Sequence, residues 1–117
     1  DPSAVVWTLT RVEAVSALRR LVREEALLES EAHRAEQVLD GILSRAHVVV
    51  DVERVKETAC RLLRVHALRA ADAMQLAAAL AWADGGPRGL VVHTLDRRLA
   101  LAAEREGFEA VGAAPGA

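Results

Sequence analysis

Aromatic residues are nearly missing from this chain: two tryptophans, one phenylalanine and no tyrosine among 117 residues. Any core must therefore be filled with alanine, leucine and valine, and a 52% hydrophobic content is enough for one domain of ordinary size. A single cysteine, Cys60, excludes an internal disulfide, and its apolar helical setting predicts a buried thiol. No apolar run approaches the roughly 20 residues of a membrane-spanning helix. The opening "DPSAVVWTLT" has no basic segment and no signal-peptide pattern. These absences predict a soluble, cytoplasmic protein without a membrane partner. A basic excess is lacking too, since a net charge of −2 leaves no chain-wide footprint for nucleic acid. Lysine is scarce: of 15 basic residues only Lys56 is not arginine, and the planar fork of arginine suits phosphate oxygens. No Gly-rich phosphate loop occurs, and "DGGPRG" reads as a turn. His33, His47, His66 and His93 lack metal-ligand spacing and read as structural, and no Ser or Cys has an evident catalytic partner.

What is present is an alternation of short apolar runs with helical segments. "AVVWTL" (4–9) reads as a buried strand, and "TRVE" after it as a capping box, with Thr10 as N-cap and Glu13 three residues on. That helix is expected to run to about Leu28. Ser30 can cap a second helix ending near Ala46, "HVVVDV" (47–52) is a second strand, and Asp51 can cap a helix over about 52–66. A helix over 68–84, a strand "LVVHT" (90–94), a helix stopped by Gly107, a strand "FEAVG" (108–112) and a tail "AAPGA" complete the chain. Strands apolar on both faces and separated by helices predict a parallel sheet covered by helices, an α/β sandwich forming one domain.

Three carboxylates stand out. In an open parallel sheet the ligand crevice lies beyond the carboxyl ends of the strands. Glu13 follows the first strand, Asp96 follows "LVVHT", and Asp72 opens a helix in which no other charged residue occurs between Arg69 and Asp84. All three fall at helix N-termini, which favour negative charge. Each has a plain alternative: Glu13 in the capping box, Asp96 as an N-cap, and Asp72 as a capping residue if its helix starts at Arg69. An unpaired buried carboxylate is costly, however, and gathered carboxylates repel unless a cation joins them. Mg²⁺ or Mn²⁺ would do so with few protein oxygens, and the chemistry expected is hydrolysis of a phosphodiester. Arg69, Arg97 and Arg98 each lie within three residues of a proposed ligand and are candidates to hold the substrate phosphates.

"TLTRVEAVSALRRL", "LRAADAMQLAAAL" and "VVHTLDRRLALAAEREGFEAV" together resemble the PIN-domain family and, within it, the VapC-type toxins of bacterial toxin–antitoxin pairs. The resemblance covers nearly the whole chain, and "LRAADAMQLAAAL" is its most specific block. It implies a PIN-like, Rossmann-like three-layer sandwich, a parallel β-sheet flanked by helices. It also implies a metal-dependent endoribonuclease held inactive by a cognate antitoxin. Glu13, Asp72 and Asp96 match the second, third and fourth acidic positions of the family, and Thr94 matches the small hydroxyl residue ahead of the last acid and is expected, with Arg69 and Arg97, to bind substrate.

The family pattern opens with a further strand ending in an aspartate, for which this sequence offers no match. Asp1 precedes "AVVWTL" rather than following a strand. The expectation is thus a single PIN-like domain over 1–117 that lacks its N-terminal strand and belongs to a longer protein. Two other functions fit part of the pattern. One is a catalytically inactive PIN fold binding RNA or a protein partner. The other is a phospho-acceptor signalling domain using Asp51, although no lysine ends the last strand and no Pro/Gly-rich loop follows Asp51. The resemblance also implies a homodimer and an antitoxin that lays an apolar segment in a groove. "AAALAWA" (77–83) offers small residues around Leu80 and Trp82 on which another helix would pack.

Overall fold

The computed structural model describes residues 5–84 and 86–112. Asp1, the expected strand start at Ala4, Gly85 of the turn and the tail over 113–117 lie outside the described residues. Contacts group the chain into two compact units that divide between Val50 and Asp51.

The first unit runs β1 (Val5–Trp7), α1 (Thr10–Arg23), α2 (Glu29–Leu43), β2 (His47–Val49). β1 and β2 pair in parallel with Val6 opposite Val48, and Thr8 N–H extends the ladder to the Val49 carbonyl at 3.0 Å. Trp7, Val49 and Ala32 are the buried apolar residues, while α1 has no fully buried residue. The two helices are tied by charge: Arg11 reaches both carboxylate oxygens of Asp40 (2.8 and 3.4 Å), and Arg19 reaches Glu29 at 2.6 Å. Exposed pairs of this kind contribute about 0–1 kcal/mol each.

The capping box expected at Thr10 and Glu13 does not form. Thr10 is already helical, Leu9 is the N-cap, and both side chains turn back to Trp7. A buried indole N–H needs an acceptor, and that demand outranks the solvated helix end. α1 also stops at Arg23, short of Leu28, because Glu25 adopts φ +59°. Ala26 N–H then bonds the Leu21 carbonyl and Glu25 N–H that of Val22, the two bonds of a Schellman stop built without glycine. Similarly, α2 is capped at Leu28 rather than Ser30, with the Glu31 carboxylate accepting from Leu28 N–H at 2.8 Å.

The second unit runs α3 (Val52–Val65), α4 (Ala70–Ala83), β3 (Val91–His93), α5 (Arg97–Arg105), β4 (Glu109–Val111). Asp51 caps α3 as expected, accepting from Arg54 N–H at 3.3 Å. α3 buries Val55, Ala59 and Leu62 at helical spacing against Ala73, Leu76, Ala77 and Leu80 of α4. Leu99, Ala100, Ala102 and Ala103 of α5, with Phe108, complete this core. Cys60 lies off the buried stripe of α3, so its thiol is exposed and not buried as expected. Ala77, Ala78 and Leu80 are likewise buried, so part of the small-residue surface of "AAALAWA" is covered within the chain, while Trp82 is 47% exposed.

β3 and β4 pair in parallel around α5, with Val92 opposite Ala110. Gly107 takes φ +107° and stops α5, and Gly112 takes φ +110°. A Cβ at Gly112 would lie 2.8 Å from the Thr94 carbonyl oxygen, so only glycine fits there without moving the backbone.

The parallel α/β alternation is therefore present. Among the described residues it is realised as two two-stranded sheets rather than one continuous sheet. The strands expected to be buried on both faces are short and partly open, with Val48 and Val91 more than two-fifths exposed. A strand in a pair has one neighbour, so its apolar pattern is covered on fewer sides than in a multi-stranded parallel sheet.

One buried polar cluster was not foreseen. His66, at the end of α3, is 8% exposed and sets its Nε2 2.7 Å from the Glu106 carboxylate just past α5. Arg61 donates to both oxygens of Glu106, at 2.9 and 3.2 Å. The bond from Arg61 holds the Glu106 carboxyl below its ordinary range; burial opposes the shift and the bond from His66 adds to it.

Candidate active site

Within the second unit, a cleft of about 270 Å³ is lined by Asp72 and Asp96, by Arg69, Arg97 and Arg98, and by Ala67 and Leu68. Two of the three expected acids thus share one cavity. Asp72 sits in the first turn of α4, whose N-cap is Arg69. The short link after His66 brings this helix start to the cleft, with Leu68 N–H bonded to the His66 carbonyl at 3.1 Å. Asp96 is the N-cap of α5, and its Oδ1 accepts from Leu99 N–H at 3.0 Å. Its capping role is therefore real and coexists with a place on the cleft wall.

Thr94, at the end of β3, accepts the Asp96 N–H on its Oγ1 at 3.0 Å, and its own N–H goes to the Val111 carbonyl. This fixes the backbone from which Asp96 projects. Both acids stand at helix N-termini, where partial positive charge stabilises them, and three guanidinium groups add a cationic rim. The chain's lack of net positive charge is compatible with nucleic-acid chemistry if the arginines are concentrated in this way.

Glu13 belongs to the first unit, where its Oε1 accepts from the Trp7 indole N–H at 3.0 Å. Among the described residues no group of three or more His, Cys, Asp or Glu side chains is gathered as a metal site. The donor set of the cleft itself, two carboxylates with room beside them, fits a hard divalent cation that keeps several waters. Asp51 is accounted for by capping α3.

Comparison with known proteins gives an independent line. Two ribonucleases of Mycobacterium tuberculosis, VapC45 and VapC49, are each 40% identical to this chain over 105 residues, covering 90% of it and 71% of their own length. The chain belongs to the VapC ribonuclease family. No family model matches it, and no solved structure matches it.

For a VapC-family chain, the residues that sequence reasoning missed lie around the acids rather than among them. Trp7 is tied to Glu13, and the sole hint was an aromatic residue six positions ahead of it. The His66–Glu106–Arg61 cluster joins residues 40 and 45 positions apart, a pairing that no local pattern announces. Ala67 and Leu68 enter the cleft wall as backbone and bulk, with no chemical signature of their own.

Proposed function

We propose that this chain is a metal-dependent endoribonuclease with a PIN-like three-layer fold, acting as the toxin of a toxin–antitoxin pair. The observation that carries the reading is the shared cleft of Asp72 and Asp96 under an arginine rim, in a chain whose relatives are VapC ribonucleases. In this reading Glu13, Asp72 and Asp96 hold Mg²⁺ or Mn²⁺. Such an ion, when bound, would supply an acidified water and offset charge at the phosphate. Hydrolysis forms a P–O bond to the water oxygen, breaks the P–O bond to ribose and leaves a proton of the water on the departing ribose oxygen. Arg69 and Arg97, with Arg98 beside them, hold the phosphates on either side of the bond to be cut, and Thr94 keeps Asp96 in place. The partners in this proposal are RNA, a cognate antitoxin and a second copy of the chain, meeting in the cytoplasm. No helix is long and apolar enough to cross a membrane among the described residues.

The direct test is cleavage of RNA by the purified protein with and without a chelator. Activity is expected to vanish in EDTA and to return with Mg²⁺ or Mn²⁺. Cleavage that persists at full rate in EDTA removes the metal, and RNA binding without cleavage under any condition favours an inactive binding module. The arginine rim has its own signature. Replacing Arg69 or Arg97 with Ala should weaken RNA binding and lower the slope of log affinity against log salt by about one per lost phosphate contact. An unchanged slope assigns these arginines to protein contacts instead.

A further inference from the structure

We infer that His66 is a positioning residue for Arg69: its bond to Glu106 anchors the link that forms one wall of the cleft, and so sets where the guanidinium stands. This rests on the reading of Arg69 as a phosphate contact and goes beyond it to residues outside the cleft. One wall is the link from α3 to α4, with Ala67, Leu68 and Arg69, followed by Asp72. The other is the start of α5, with Asp96, Arg97 and Arg98. No residue between His66 and Ala73 is buried, so the first wall has no apolar anchor of its own. It depends on what holds its two ends. At the far end α4 packs on α3, and Ala73 N–H bonds the Arg69 carbonyl at 2.9 Å. At the near end stands His66, in extended backbone past the end of α3, with its side chain only 4% exposed. Its Nε2 lies 2.7 Å from the carboxylate of Glu106, the residue that closes α5. Both walls therefore refer to one helix: α5 begins at one of them, and its end holds the root of the other.

Stability does not explain a histidine here. The Glu106 carboxyl, held below its ordinary range by Arg61, only accepts, so Nε2 carries the proton of the shared bond. Nδ1 is then buried with no hydrogen-bond partner among the described residues, a cost that leucine would not incur. What histidine adds is direction. Apolar burial is non-directional, whereas Glu106 is itself gripped by Arg61 at 2.9 and 3.2 Å and fixes the ring bonded to it. The ring fixes the first peptide of the link, and Leu68 N–H bonds the His66 carbonyl at 3.1 Å, which carries that order toward Arg69. Arg69 is exposed, and a link left loose would have to be ordered by RNA itself, weakening binding about three- to tenfold.

The test is binding of an end-labelled, mixed-sequence single-stranded RNA in EDTA, read by fluorescence anisotropy. His66→Leu should fold and weaken this RNA about three- to tenfold. His66→Gln, whose amide N–H can stand where Nε2–H does, should keep the parent's affinity. Because His66 acts through Arg69, its loss should disappear on an Arg69→Ala background, with the double variant binding no more weakly than Arg69→Ala alone. Losses that multiply, parent-like affinity in folded His66→Leu, or a Gln variant as weak as the Leu variant each overturn the inference and leave Arg69 a phosphate contact. Parent-like affinity in Arg69→Ala overturns the reading of that arginine and this inference with it. If His66→Leu does not fold, nuclear magnetic relaxation of the 67 and 68 amides in the unmodified protein decides. Order parameters at the level of rigid backbone, about 0.85, uphold the anchor, and lower ones overturn it.

Discussion

Replacing Asp72 with Asn is expected to abolish RNA cleavage and to leave the protein folded. Asn has the same shape, so the half-buried position at the start of α4 is still filled, while the negative charge on the cleft wall is gone. In the proposed reading Asp72 helps to hold the cation that offsets charge at the phosphate, and loss of one such preorganised electrostatic contribution costs about 10²–10³ in rate. The structural cost is far smaller. An acidic residue in the first turn of a helix is worth about 0.3–1 kcal/mol through the helix dipole, and Asn retains hydrogen-bonding capacity. The expected result is therefore a cleavage rate below detection beside a circular dichroism spectrum and melting curve close to those of the parent. Undiminished cleavage by the variant sinks the assignment of Asp72. A collapsed melting curve would show that Asp72 stabilises the fold and would call for Asp96→Asn as the second arm.

Replacing Glu106 with Ala should produce the largest loss of stability of any single polar substitution in the second unit. The side chain is only 13% exposed and serves two partners, Arg61 and His66. Removing it strands the buried His66 ring, whose Nδ1 has no hydrogen-bond partner among the described residues even with Glu106 present. Leaving a buried polar group without its partner costs about 1–3 kcal/mol, and chemical denaturation would read this as a lower midpoint. The sign of the pH effect follows from the direction of the shift. The folded Glu106 carboxyl titrates below its ordinary value of 4.5, so its contribution is full above that value. It is lost as pH falls below 4.5 and through the folded pKa. In Glu106→Gln this part of the acid limb should flatten, whereas an acid limb identical to that of the parent would show that other carboxylates carry it.

How much of this was legible in the sequence depends on the range of the interaction. Asp51 and Asp96 were readable as caps because the donor lies three residues away. Asp96 was readable from strand-then-helix order and Asp72 from its place at the start of an otherwise uncharged apolar helix, and the two line one cleft. Glu13 was misread locally, because the cap pattern was complete in sequence while its side chain answers to Trp7. The end of α1 was missed because left-handed backbone was expected at glycine and not at Glu25, and the Leu28 cap of α2 because a leucine side chain has no acceptor to announce it. Cys60 was misplaced by one helical step: the stripe Val55, Ala59, Leu62 is buried, and the residue beside it in sequence faces away. The resemblance drawn from three sequence blocks and the 40% identity to the two ribonucleases agree on the family.

Gly112 has a bearing on genetics that its chemistry conceals. A side chain there would press on the Thr94 carbonyl, and Thr94 is the residue whose hydroxyl holds the backbone of Asp96. A library of random variants screened for loss of cleavage should therefore return changes at position 112 alongside changes at the acids, although a glycine has no group to offer a substrate. Sorting the same library for folded yield would separate the two classes, with the acids retaining yield and position 112 losing it.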